Sequence, residues 1–297
     1  MNTAIVIPVG PSRQENLRAS LQTIKEMTVK PTLVVTVMDG EVDISDEEVR
    51  EAVSVAPTEV LRVAKHEPGM EQPRNLGVRW ISRMNEDLCT RGLDLLDHVW
   101  FLDSDILVAP DALAHYEETG GGRILAGPYD WLPSGVREPM PELRNDPRWP
   151  SFNDHDPQEA LESDLSAGLA CFSGNLVWPI DQFTRIGGFW NELHHGRCED
   201  GELGLRAVAC GIPISFVREA RGWHLDHPIN VELTLERNRR DVPMLNLRHP
   251  WVQGEGLFVV EQDGKRFNVR CACGWEGNTA EIWHHQAGCD LLPEGLK

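Results

Sequence analysis

Basic side chains are scarce in this chain: 28 lysines and arginines stand against 47 aspartates and glutamates, a formal net charge of −19. That balance excludes a nucleic-acid backbone as the natural partner, because a polyanion is bound by cations that neutralise it. Also missing is any apolar run approaching the ~18 residues of a membrane span. Met1-Asn2-Thr3 leads straight into a short strand pattern, without the basic n-region and apolar h-region of a secretory leader. The expectation is a cytoplasmic protein with no membrane span and no nucleic-acid partner. Four of the seven cysteines, Cys89, Cys171, Cys198 and Cys210, are scattered singly and read as reduced thiols. The other three, Cys271, Cys273 and Cys289, cluster near the C-terminus and ask for a metal.

What is present is a chain of 297 residues with 41% hydrophobic side chains, enough for one large α/β domain and a small appendage. Apolar runs over residues 4–9, 33–38, 60–63 and 99–102 read as strands. Between them, Leu17, Leu21, Ile24 and Met27 recur at helical spacing behind a capping Ser12, and residues 72–83 form a second amphipathic stretch. Such alternation is the signature of a parallel, nucleotide-binding sheet. Residues 128–164 change texture to frequent proline, acidic residues and tryptophan, and read as a mobile loop over the site.

The strand over 99–102 ends in Asp103-Ser104-Asp105. Strand carboxyl ends face the ligand crevice of a parallel sheet. Two carboxylates placed there require a cation, and a hard divalent ion shared with a diphosphate suits oxygen ligands. Further along, Gly187-Gly188-Phe189 precedes Glu199-Asp200 at the start of a helical stretch, and His224 and His227 follow another strand.

Together these pieces resemble known enzymes. Ile5-Val6-Ile7-Pro8-Val9, the strand ending in Asp39-Gly40, Pro73-Arg74-Asn75-Leu76-Gly77 and Phe101-Leu102-Asp103-Ser104-Asp105 resemble the nucleotide-binding half of family 2 glycosyltransferases with the GT-A fold. Residues 173–200 are similar to the C-terminal region of the β-1,4-galactosyltransferases and polypeptide N-acetylgalactosaminyltransferases. A tryptophan that shapes the sugar pocket in the galactosyltransferases has no counterpart here, where His195-Gly196-Arg197-Cys198 stand, so their sugar specificity does not carry over.

The resemblance implies a Rossmann-like, mixed and mostly parallel sheet flanked by helices over residues 1–248. It implies a hexosyltransferase-type enzyme that moves a sugar from a nucleotide sugar, a UDP-sugar, to an acceptor hydroxyl. Pro8, Val9 and Arg13 match the family's first motif, Asp39 the acid that pairs with the base, and Arg74 a position near base or diphosphate. Asp103 and Ser104 would reach ribose or a metal-bound water, and Ser173, Gly174 and Asn175 the donor sugar. Asp105 is the leading ligand of the catalytic ion, completed by His224, His227 or both. Carboxylate, imidazole and diphosphate together suit Mn2+ or Mg2+. Asp200 would be the base of an inverting reaction, while Glu199 holds the acceptor or only the helix start. Trp131, Trp178, Trp190 and Trp223 are candidates to stack on sugar faces.

Residues 249–297 read as a small ββα-like module. A hairpin turning at Asp263-Gly264 precedes Cys271 and Cys273, and a helical stretch carries His284, His285 and Cys289. Two cysteines, one histidine (His285, or its neighbour His284) and Cys289 make a four-ligand structural Zn2+ site. Two other functions compete for the whole chain: a sugar-nucleotide pyrophosphorylase, and an inactive carbohydrate- or protein-binding module.

Overall fold

The computed structural model describes residues 1–64, 71–162, 164–191, 193 and 198–228, scattered positions from 232 to 241, and the strands of a C-terminal sheet. Strand β1 (Thr3–Val9) leads to helix α1 (Gln14–Glu26), then β2 (Leu33–Asp39), α2 (Asp46–Val53), β3 (Thr58–Val63) and α3 (Glu71–Thr90). Next come β4 (His98–Leu102), β5 (Ile106–Val108), α4 (Ala112–Thr119), β6 (Ile124–Ala126) and β7 (Tyr129–Trp131). They are followed by α5 (Trp149–Asp154), α6 (Leu165–Leu169), β8 (Asn175–Pro179), α7 (Ile180–Arg185), α8 (Cys198–Ala209), β9 (Ile214–Phe216) and β10 (Gly222–His224).

Seven strands form the main sheet in the order β3-β2-β1-β4-β8-β6-β9. The β1–β2, β1–β4, β2–β3 and β6–β9 pairs are parallel, and β8 runs antiparallel to both neighbours. Every residue of β1, β2, β4 and β8 is buried, as a sheet covered on both faces demands. Alternation then divides the core. Val6 and Phe101 join Trp178, Phe183 and Phe189 on one face; Ile5, Ile7 and Trp100 join Leu17, Leu21 and Tyr116 on the other.

A second sheet has the order β5-β10-β7. Between Asp105 and α4 the chain forms β5, which pairs antiparallel with β10. Strand β7 adds to β10 in parallel, so the segment read as a mobile loop supplies an edge of this sheet. Residues beyond β7 are tied down by buried charge. The Arg148 guanidinium pairs with Asp146 at 2.7 Å, both fully buried, and donates to the carbonyls of Ala170 and Gly127. Asp130 Oδ1 accepts the indole N–H of Trp149, and Oδ2 accepts Arg221. A buried pair so fully bonded fixes a conformation even where it adds little net stability.

Two helices set the active face. Gly77 brings α3 onto β1, where a Cβ would stand 2.6 Å from Val6 Cγ1. In α8, Gly204 meets Gly168 of α6 so closely that a Cβ would lie 1.8 Å from the Gly168 carbonyl oxygen. Ser12 is not the cap of α1: it takes φ +63°, and Arg13 occupies the cap position without a side-chain hydrogen bond. Helix α2 was unforeseen, although Ser45 accepting from the Glu48 N–H is an ordinary N-cap.

At the C-terminus, β11 (Phe258–Asp263), β12 (Arg266–Arg270) and β13 (Glu276–Asn278) form a separate antiparallel sheet. The expected hairpin is there, joined by an unexpected third strand. Cys271, Cys273, His284, His285 and Cys289 lie outside the described residues. No described helix is long and apolar enough to cross a membrane.

Candidate active site

Pairing of β5 with β10 sets His224 opposite Ile106, next to Asp105. The Leu225 N–H donates to the Asp105 carbonyl at 2.8 Å and holds the following turn. Asp105, His224 and His227 thus converge, with one potential ligand atom from each within 4.8 Å of the others. His227 Nε2 is 3.2 Å from Asp105 Oδ2, and His224 Nε2 is 3.6 Å from Oδ1. Two ligands about 2.1 Å from one ion at right angles are about 3 Å apart, so these separations suit a shared divalent cation. The donor set fits chemically too. Burial pushes the His224 imidazole down against the pull of Asp105, favouring the neutral, ligating form. Burial alone would raise Asp105, but His224, His227 and Arg13 hold it well below the usual carboxylate range. His224 Nδ1 is buried without a hydrogen-bond partner among the described residues.

Arg13 faces the same cluster from the start of α1. Its Nη2 lies 3.1 Å from His227 Nδ1 and its Nη1 4.0 Å from Asp105 Oδ2. Pro8 and Val9 end β1 buried, with the Val9 side chain in the core, which leaves their backbone as the part able to meet a ligand. Asp39 is buried at the end of β2. Tyr129 stacks on His224 with centroids 6.1 Å apart, and Trp131 lies 6.2 Å from the same ring.

The second half of the site begins one residue before Ser104. Asp103 Oδ1 accepts from Arg74 Nη2 at 2.7 Å. Arg74 Nη1 lies 3.9 Å from Glu199 and equally far from Asp200, so the guanidinium expected near base or diphosphate is committed to three carboxylates. Ser173 Oγ donates to Asp200 Oδ1. Gly174 keeps the path open: a Cβ there would meet Ile106, Tyr129 and Asp103 at 2.9–3.2 Å. Burial and the neighbouring Glu199 push the Asp200 carboxyl up to about 7, against the opposing pull of Arg74 and Ser173. A carboxyl poised near neutrality is suited to proton transfer.

Not every expected residue belongs here. Asn175 is a structural hub: its Oδ1 accepts from Trp100 and Tyr116, and its amide donates to the Ala220 and Pro128 carbonyls. Trp178 is in the core, and Trp223 is buried with its N–H on the Met140 carbonyl, so neither can stack on a sugar. Tyr129 went unrecognised, because only the β7–β10 pairing reveals where it points. Asn75, next to Arg74, clamps the glycine turn by exchanging hydrogen bonds with the Phe189 backbone.

This architecture, a mixed sheet with the aspartate pair at a central strand end, is the GT-A fold. TarS from S. aureus, solved with UDP-GlcNAc, superposes with a TM-score of 0.54 at 15% identity over 82% of this chain and 66% of its own. The mannosyltransferase PcManGT from Pyrobaculum calidifontis, solved with GDP-Man and Mn2+, gives 0.55 at 14% identity over 84% and 64%. GalNAc-T7 with UDP, GalNAc and Mn2+ gives 0.54 at 15% identity over 86% and 52%. Among curated sequences, validoxylamine A glucosyltransferase of Streptomyces hygroscopicus subsp. jinggangensis is 28% identical over 185 residues, 55% of this chain and 44% of the relative. The chain thus spans less than half the length of the curated relatives it matches. No family model matches.

Proposed function

We propose that this protein is a metal-dependent, inverting glycosyltransferase that takes a sugar from a UDP-sugar and delivers it to an acceptor hydroxyl. The observation that carries the reading is the joining of two clusters through Asp103-Ser104-Asp105. On one side stands a carboxylate–imidazole set fit for a cation, on the other a largely buried carboxyl suited to act as a base. The glucosyltransferase and the mannosyltransferase among the matched proteins support it, as do the UDP-GlcNAc, GDP-Man and UDP held by the solved neighbours. They give no support to the pyrophosphorylase alternative.

Asp105, His224 and His227 would hold Mn2+ or Mg2+, which when bound supplies positive charge to the departing diphosphate. Arg13 adds a fixed cation on the same side, and Asp39 at the end of β2 pairs with the nucleotide base. The Pro8-Val9 backbone and the Asp103-Ser104 turn line the nucleotide, and Ser173 and Gly174 line the sugar. Asp200 takes the proton of the acceptor hydroxyl as its oxygen bonds to the anomeric carbon and the bond from that carbon to the diphosphate breaks. Glu199 holds Arg74 and the start of α8. We further place the domain boundary near residue 248, with a Zn2+ module of Cys271, Cys273, His285 and Cys289 beyond it.

Incubation with Mn2+ and a panel of nucleotide sugars tests the function. The expected result is slow release of UDP, abolished by chelation and by D105N. Formation of nucleoside triphosphate on adding pyrophosphate, or no turnover and no nucleotide binding, overturns it. Zinc content of the full chain, measured after mutation of Cys273, tests the C-terminal assignment separately.

A further inference from the structure

Among the described residues, Arg74 is the cation that contacts the carboxylates of Asp103, Glu199 and Asp200. Its side chain is 3% exposed, and its guanidinium lies 5.4 Å from the centre of the Phe189 ring. Nη2 is spent on Asp103, while Nη1 stands at charge-contact distance from Glu199 and Asp200, without a hydrogen-bond partner among the described residues. Its helix cannot easily drift, because Gly77 is packed on Val6 and Asn75 is bonded to the Phe189 backbone.

Resting on the reading of Asp200 as the base, we propose that Arg74 is a positioning residue whose guanidinium holds Asp200 in the carboxylate form that takes up the acceptor's proton. The surroundings of Asp200 show why such a residue is needed. Glu199 on its own helix, Asp103 from the strand-end turn, and Tyr129 and Cys171 from β7 and the segment before β8 all lie within electrostatic reach. Anionic neighbours and burial disfavour a further negative charge there. Ser173 and the first turn of α8 favour it, but among the described residues Arg74 alone brings a full positive charge to the base. The same guanidinium grips Asp103, which ties the position of the base to the turn that carries Asp105.

The test is the pH profile of kcat in wild type, R74Q, R74K and E199Q. Wild-type turnover is established first: its absence strikes at the transferase reading, not at Arg74. In R74Q the acidic limb is expected to move up by about one pH unit or more, the usual effect of losing an opposite charge at this range. Turnover near pH 7 then drops by about fivefold or more and recovers towards pH 9. A merely structural defect lowers kcat equally at all pH values. R74K should keep the limb in place, and E199Q should move it down. A limb unmoved in R74Q overturns the proposal. Should R74Q fail to fold, an unmoved limb in E199Q does so, since no electrostatic control of Asp200 by this cluster then exists.

Discussion

His224 reaches Asp105 through strand pairing: it stands opposite Ile106 in the β5–β10 ladder, and its Nε2 comes to 3.6 Å from the aspartate Oδ1. The first prediction follows from that contact. H224A and H227A should each weaken Mn2+ binding by more than the roughly 10- to 100-fold that loss of an outer-shell partner costs. The fold should survive, since neither ring belongs to the apolar core. Calorimetric titration with Mn2+, paired with a thermal melt, checks both halves.

Asp200 should behave as a base and not as a binding residue. D200N is expected to lower kcat by roughly 100- to 10,000-fold while leaving UDP affinity nearly unchanged. Equal losses in affinity and kcat would assign it to binding instead.

The raised Asp200 carboxyl also makes stability depend on pH. Unfolded, the group loses its proton near its ordinary value of 3.8; folded, it keeps the proton until about 7, chiefly because it is buried. The native state therefore binds the extra proton between those values, and stability from this group falls as pH rises across that window. D200N should accordingly melt at a higher temperature than wild type at pH 8, with no such gain at pH 4. Identical melting at both pH values would mean that Asp200 titrates normally.

Where α6 crosses α8, Gly204 has no room for a methyl group against the Gly168 carbonyl. G204A should destabilise the protein by about 1–3 kcal/mol, the usual cost of overpacking. It should also reduce kcat, because α8 carries Asp200 to Ser173. Denaturant unfolding and kinetics measured on one preparation separate the two effects.

Removing one partner of the Arg148–Asp146 pair leaves a buried charge alone. R148M is expected to cost about 3–5 kcal/mol, and limited proteolysis should then cut between residues 132 and 148. Resistance equal to wild type would show that the segment is held by other contacts.

Strands β1 to β4 were legible because each is a short apolar run, and Asp103, Asp105 and Asp200 stood out as candidates because carboxylates at element ends are conspicuous. What could not be read was pairing. Nothing local announces that Ile106–Val108 is a strand, since three residues carry no periodicity and only β10 gives them a partner. The same blindness hid Tyr129, and it hid the ties of the proline-rich stretch read as a mobile loop: Asp130 binds Arg221 far along the chain, and Arg148 reaches the Ala170 carbonyl. Arg74 was picked out from its motif as a residue near base or diphosphate, but a sequence does not show that three carboxylates lie within reach of its guanidinium.

Anomalous diffraction from crystals soaked with Mn2+ and a UDP-sugar tests the central claim most directly. The expected result is a peak bounded by Asp105, His224 and His227, touching the diphosphate, with the anomeric carbon on the side of Asp200. A peak at another place in the GT-A domain, or a bound donor whose diphosphate lies away from these three residues, would contradict it.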